Sequence, residues 1–221
     1  MGGSTWEMSA WSFIKIGGPL MAPILFCSFV ALGIVIEKLI YFSSLKIDLI
    51  QFKSQVFERV KQNRIKESIQ LCDECRAPVA KIMKAGLMKF GSSRETIKES
   101  MEDASLFEIP KLENRLNALA TIAHIAPLLG LLGTVTGMMT IFHTIQIRAA
   151  SLNPVTPGDL AGGIGEALIT TVAGLMVAIP TYVAYNYCVH RVDRFVLEME
   201  HAATEIINFF SQITDSSSRE L

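Results

Sequence analysis

The sequence predicts an all-α integral membrane protein: three transmembrane helices, long cytoplasmic extensions of the second and third, and assembly as a homo-oligomeric bundle. Three observations carry this. Half of the 221 residues are apolar and only 19% are charged, far from the balance of a soluble domain. The apolar residues are clustered, because 16–36, 116–147 and 167–190 contain no Asp, Glu, Lys or Arg, and each is long enough to cross a bilayer, which takes about 20 residues. A 3.5-residue apolar period then continues beyond the second and third windows, the mark of helices that pack along a seam.

Residues 1–15 form an outer-face arm in which Trp6, Trp11 and Phe13 suit an interfacial aromatic belt. The first transmembrane helix is assigned to 16–42. It is a retained anchor rather than a signal peptide, since no basic region opens the chain and no small-residue cleavage site follows the apolar run, which ends in Glu37-Lys38.

Residues 43–109 read as a cytoplasmic helical region. Leu45, Leu49, Phe52, Val56 and Val60 share one helical face, as do Ile65, Ile69 and Cys72; Ala77-Pro78 breaks the pattern, and Ser92-x-x-Glu95 is a capping-box candidate. The segment 43–115 holds fourteen Lys and Arg. They alternate with acids, which is a solvated face rather than a nucleic-acid patch. Near the span ends, Lys38, Lys46, Lys111, Arg115, Arg191 and Arg194 place the large loop and the carboxyl terminus in the cytoplasm, and the amino terminus on the other side. Cys72 and Cys75 form a lone CxxC lacking the four ligands of a zinc site and the strand context of a redox motif.

A long helix over 110–149 is expected to contain the second span, with Pro110 in its first turn, where a missing N–H is tolerated. Its seam runs through Ile109, Leu112, Leu116, Leu119, Ala123, Ala126 and Gly130. A short outer loop, 150–159, leads to a long helix over 160–212 holding the third span, with a second seam at Val189, Val192, Val196, Met199, Ala203, Ile206 and Phe210. Residues 213–221 are expected to be a disordered tail.

Within the spans, Gly130, Gly133 and Gly137 on the second, and Gly174 and Ala178 on the third, offer small surfaces for pore lining or close packing, on which helix association in lipid relies. Pro127 and Pro180 each free a backbone carbonyl and are candidate kinks. Thr134, Thr136, Thr140 and Thr144, with Thr170 and Thr171, supply hydroxyls; a membrane threonine commonly bonds the carbonyl one turn back, but a hydroxyl also holds water or relays a proton. His124 and His143 are lone histidines with packing or interfacial roles.

Glu166 is the informative residue, because an ionisable group at membrane depth is costly and marks function by default. The alternative is a carboxylate capping the outer end of the third span in headgroup water; the neutral, glycine-rich run Leu160–Gly165 before it favours the deeper position.

The runs Ala126-Pro-Leu-Leu-Gly-Leu-Leu-Gly-Thr-Val-Thr-Gly137 and Gly165-Glu-Ala-Leu-Ile-Thr-Thr-Val-Ala-Gly-Leu-Met-Val-Ala-Ile-Pro180 resemble those of the MotA/TolQ/ExbB proton-channel family, in its ExbB and TolQ branch; the four-span MotA is a poorer fit. The resemblance covers nearly the whole chain. It implies a pentamer in the bacterial inner membrane around two copies of an ExbD- or TolR-like single-span subunit, with a TonB- or TolA-like protein as a further partner. It also implies conversion of proton-motive force into mechanical work at the envelope. No cofactor is implied beyond the transported ion, H+ or Na+. Carried over by motif position, Glu166, Thr134 and Thr171 form the proton pathway. Thr136 departs from the tryptophan several members carry after the Gly-Thr-Val run. A passive membrane scaffold is the rival class. An intramembrane protease is not supported, as neither GxSxG nor HExxH occurs.

Overall fold

The computed structural model describes residues 17–217. Among them it is all-helical: α1 (Met21–Ser44), α2 (Leu49–Lys61), α3 (Ile65–Glu74), α4 (Pro78–Met88), α5 (Arg94–Glu113), α6 (Leu116–Ala150) and α7 (Pro157–Ser217). The arm 1–15, with its aromatic residues, lies outside the described residues. Three helical stretches are long and apolar enough to cross a membrane; they fall in α1, α6 and α7. This is an all-α, multi-pass membrane protein. The chain divides into two compact units.

The first unit comprises the described residues up to Ile36 together with Arg115–Asn186. Its buried residues are small or lie on one stripe: Ala31 and Ile34 of α1 pack with Leu119 and Ile122 of α6, joined by Val177 and Tyr185 of α7. Its outer surface is apolar, with Phe26, Phe29, Leu128, Met139, Leu168 and Met176 all exposed. A soluble domain would not leave so many large apolar side chains in contact with water, whereas lipid or neighbouring helices accept them.

The second unit comprises Glu37–Asn114 and the residues from Tyr187 onward. Local signals bound several of the helices α2 to α5. Asp48 caps α2 by accepting from the amides of Ile50 and Gln51, and Pro78 opens α4, where its missing N–H costs nothing. Their apolar faces meet in a core of Val56, Val79, Ile82, Met83, Leu87 and Met101, all below 2% exposed. The carboxyl-terminal part of α7 closes this core through ring pairs: Phe42 with Phe195, Phe57 with Phe209 and Phe90 with Phe210, at centroid separations of 5.9, 4.6 and 4.8 Å. Lys53 adds an ion pair to Glu205 at 2.8 Å.

Several boundaries differ from the sequence expectation. The second long helix starts at Leu116, not Pro110. Helix α5 continues through Pro110 to Glu113, because the carbonyl that this proline frees belongs to Leu106, which lies at the surface and can take water instead. The break comes at Asn114-Arg115, where Arg115 adopts a left-handed φ of 64° and its carbonyl receives the amide of Leu119 to start α6. At the end of α5, Lys38, only 3% exposed, donates from Nζ to the carbonyl of Leu112 at 2.9 Å, satisfying one of the terminal acceptors a helix leaves over.

The cap of α5 is Ser93, accepting from the amide of Thr96, rather than the Ser92–Glu95 box. The third long helix begins at Pro157, three residues early. It also runs to Ser217, into the expected tail, anchored by the buried Ile206, Ile207 and Phe210; residues 218–221 lie outside the described ones. Its seam keeps Val192, Met199, Ile206 and Phe210, but Cys188, Phe195 and Ala202 are buried in place of Val189, Val196 and Ala203. Each of those pairs is adjacent in sequence, and apolar at both positions, so the period alone does not choose between them.

Candidate functional site

The site is built where α6 and α7 touch within the first unit. Along α6, Ala126, Gly130, Gly133, Gly137 and Ile141 are buried; along α7, Gly163, Ala167, Thr170, Gly174 and Ala178 are buried. The two rows interlock so closely that side chains are excluded. A Cβ on Gly133 would lie 2.0 Å from Thr170 Oγ1, one on Gly137 2.7 Å from the carbonyl of Gly163, and one on Gly174 2.6 Å from the carbonyl of Ala126. At each of these glycines the facing helix leaves no room for a side chain within one subunit. Close backbone approach is what lets helices associate in lipid, where apolar side chains gain little by meeting.

Hydroxyls line this seam and its edges. Thr170 is fully buried and donates to the carbonyls of Glu166 and Ala167, at 2.9 and 3.0 Å. Thr171 donates within its own helix to Ala167, at 3.0 Å, and across the seam to the carbonyl of Gly130, at 3.2 Å. Thr134 stands one turn beyond Gly130 on α6, half-exposed, with its hydroxyl turned back to the carbonyl of Leu131 at 2.6 Å. Thr136, Thr140 and Thr144 likewise return to carbonyls three or four residues back, the local bonding expected of helical threonines.

Glu166 lies elsewhere on α7. Five residues of helix is a rotation of about 140° past a full turn, so Glu166 and Thr171 occupy different flanks of α7 in one subunit. Thr171 borders Gly130, whereas the half-buried Glu166 carboxylate is directed at the start of α1: a Cβ on Gly18 would stand 2.1 Å from its Oε1. The cross-seam bond of Thr171 reaches α6 one turn before Thr134, and Glu166 stands against Gly18 instead.

Pro127 and Pro180 lie inside helices that continue past them. Next to Pro180, Thr181 bonds the Val177 carbonyl at 2.6 Å. His124 turns Nδ1 to the carbonyl of Ala120 at 2.7 Å and stands edge-on to Tyr182, a packing role. Among the described residues no group of three or more His, Cys, Asp or Glu is placed to hold a metal.

Two features went unnoticed in the sequence. One is the Gly17-Gly18 turn against Glu166, for which the only signal is Gly-Gly-Pro ahead of the span. The other is a clasp on the loop between α6 and α7: Arg148 reaches Asp159 Oδ1 at 2.6 Å, while Asp159 Oδ2 accepts from the amide and hydroxyl of Thr156 at 3.0 and 2.8 Å. These contacts hold the Asp159 carboxyl down at about 2, the Thr156 bonds contributing most. An acid spaced three residues after a threonine is a readable helix-start signal.

Comparison with known proteins places this geometry. A family model described as the MotA/TolQ/ExbB proton channel family matches residues 74–201, which includes all of α6 and the third span. The chain is 30% identical over 170 residues to the biopolymer transport protein ExbB-like 3 of Synechocystis sp., covering 77% of this chain and 80% of that protein. It is 35% identical over 168 residues to ExbB-like 1 of the same organism, covering 76% and 65% respectively. Against the Tol-Pal system protein TolQ of Haemophilus influenzae it is 41% identical over 108 residues, covering 48% of this chain and 42% of that protein. With three apolar helices, a glycine-lined seam and this match over more than half its length, the chain belongs to the MotA/TolQ/ExbB proton-channel family.

Proposed function

We propose that the chain is the multi-pass subunit of an inner-membrane proton channel and motor, converting proton-motive force into mechanical work through a small single-span partner. The observation that carries the reading is the α6–α7 seam: Thr171, on the helix that also holds Glu166, bridges to Gly130 of α6, one turn before Thr134. Family membership supports the proton-channel role, and the ExbB- and TolQ-named relatives support energising of TonB-dependent uptake or Tol-type envelope maintenance.

In this reading a pentamer encloses two ExbD- or TolR-like helices, with a TonB- or TolA-like protein acting beyond them. The amino terminus faces the periplasm, and the second unit and carboxyl terminus face the cytoplasm. Glu166 exchanges protons, while Thr134 and Thr171 line the path. One charge moved through the membrane potential releases about 2.3 kcal/mol per 100 mV, enough for a few protons to reset an interface whose alternatives differ by that order. The exposed apolar faces of α6 and α7 are compatible with subunit contacts, and head-to-tail contacts between unlike flanks form a closed ring when the rotation between subunits closes.

The test is proton flux in vesicles reconstituted with the complex purified together with its single-span subunit. Glu166→Gln and Thr171→Ala are expected to abolish flux, and an uncoupler to abolish envelope energising in cells. Flux equal to the parent in both variants overturns the site assignment, and activity that survives the uncoupler favours a passive scaffold.

A further inference from the structure

We propose that the turn before α1 is the seat of the Glu166 carboxylate, and that Gly18 is a positioning residue for it. The inference rests on Glu166 being the proton-exchanging group. Gly18 holds a φ of +65°, a conformation that side chains resist. The space its missing side chain leaves is filled: a Cβ there would lie 2.1, 2.9 and 3.5 Å from Oε1, Cδ and Cγ of Glu166. Both demands, backbone and space, select glycine at this position.

The contact extends over a turn of α7. A Cβ on Gly17 would come within 3.3 Å of Ile169, three residues beyond Glu166 on the same face. Met21, the first residue of the 24-residue α1, donates its amide to the carbonyl of Gly18 at 3.2 Å, so the seat is the turn that leads into this helix. Glu166, Gly18 and the start of α1 thus form one close contact, in which any side chain at position 18 displaces the carboxylate.

The experiment is a size-exchange cycle on the reconstituted complex. Gly18→Ala is expected to lower proton flux on the order of 10- to 100-fold, as displacement of a working group by about 1 Å does. Adding Glu166→Asp, which withdraws the carboxylate by one methylene, is expected to restore at least about tenfold of that loss, although Glu166→Asp alone lowers flux in the parent. Rescue of this kind is not produced by a merely structural glycine. Parental flux in Gly18→Ala, or a double variant no better than Gly18→Ala, overturns the inference.

Where Gly18→Ala assembles poorly, a Gly18→Cys/Glu166→Cys chain gives an independent reading. Mild oxidation in membranes is expected to join the two as a disulfide detected in the peptide mass, and its absence overturns the inference. If Glu166→Gln itself conducts normally, the underlying reading fails; if Glu166→Gln is dead and Gly18→Ala is normal, only the seat fails.

Discussion

The hydroxyl of Thr171 donates across the helix pair to the carbonyl of Gly130, 41 residues earlier in the chain. Neither this acceptor nor Ala167 depends on the hydroxyl, because each carbonyl lies within a continuous helix. Thr171→Val is therefore expected to cost about 0.6 kcal/mol, the average for such bonds between membrane helices, while proton flux falls at least about tenfold. Chemical denaturation of the purified chain and flux in vesicles check the two halves separately. A stability loss with normal flux would make Thr171 a packing residue only.

The glycine seam makes a second, contrasting pair. A Cβ on Gly133 would meet Thr170 Oγ1 at 2.0 Å and its Cβ at 2.4 Å, and Thr170 is fully buried, so it has no room to turn aside. Gly133→Ala is expected to destabilise by about 1–3 kcal/mol, the usual cost of overpacking. Gly162, with nothing within 4 Å of its Cβ position in the subunit, should accept alanine with a change within about 0.5 kcal/mol. Loss of helical circular dichroism on denaturation in micelles distinguishes them.

The spans were legible because charge is so costly in hydrocarbon that their charge-free windows stand out, and the small-residue seam was legible because Gly133, Gly137 and Gly174 recur at helical spacing. Other features were hidden for specific reasons. The α5–α6 break needs Arg115 at positive φ, which no sequence rule assigns to arginine, and Pro110 five residues earlier offers a better-looking start. The α7 seam has apolar neighbours at both candidate phases, such as Phe195 beside Val196, and only the partner rings of Phe42, Phe57 and Phe90 decide. Glu166 announces itself as an acid, but its seat lies at Gly18, a tertiary contact that periodicity does not encode.

The CxxC pair yields a chemical prediction. Cys72 is fully buried at the end of α3, and burial, with the neighbouring Cys75 and Asp73 adding to it, pushes its thiol up to about 12. At pH 8 about one molecule in ten thousand would carry the reactive thiolate. Alkylation of Cys72 in the native protein is expected to be at least about tenfold slower than that of the half-buried Cys75, with denaturant removing the difference. Peptide mass spectrometry after timed labelling measures both, and equal rates would contradict a packing role for Cys72.

The loop clasp predicts a pH dependence with a definite sign. The Asp159 carboxyl is ordinarily near 3.8 and is held at about 2 by the Thr156 amide and hydroxyl and by Arg148. A depressed folded-state value means that the ionised form stabilises the loop, fully above the ordinary value and progressively less as pH falls toward the depressed one. The clasp should therefore be unchanged from neutrality down to about pH 4 and should open between about 4 and 2. Hydrogen exchange at Thr156 and the first turn of α7, corrected for the intrinsic rate at each pH, is expected to accelerate only in that interval. Asp159→Asn removes the charge that Arg148 engages and the acid that titrates, so its exchange should be faster at neutral pH and should lose the acid step. An acid step of equal size in that variant would mean that another carboxyl controls the loop.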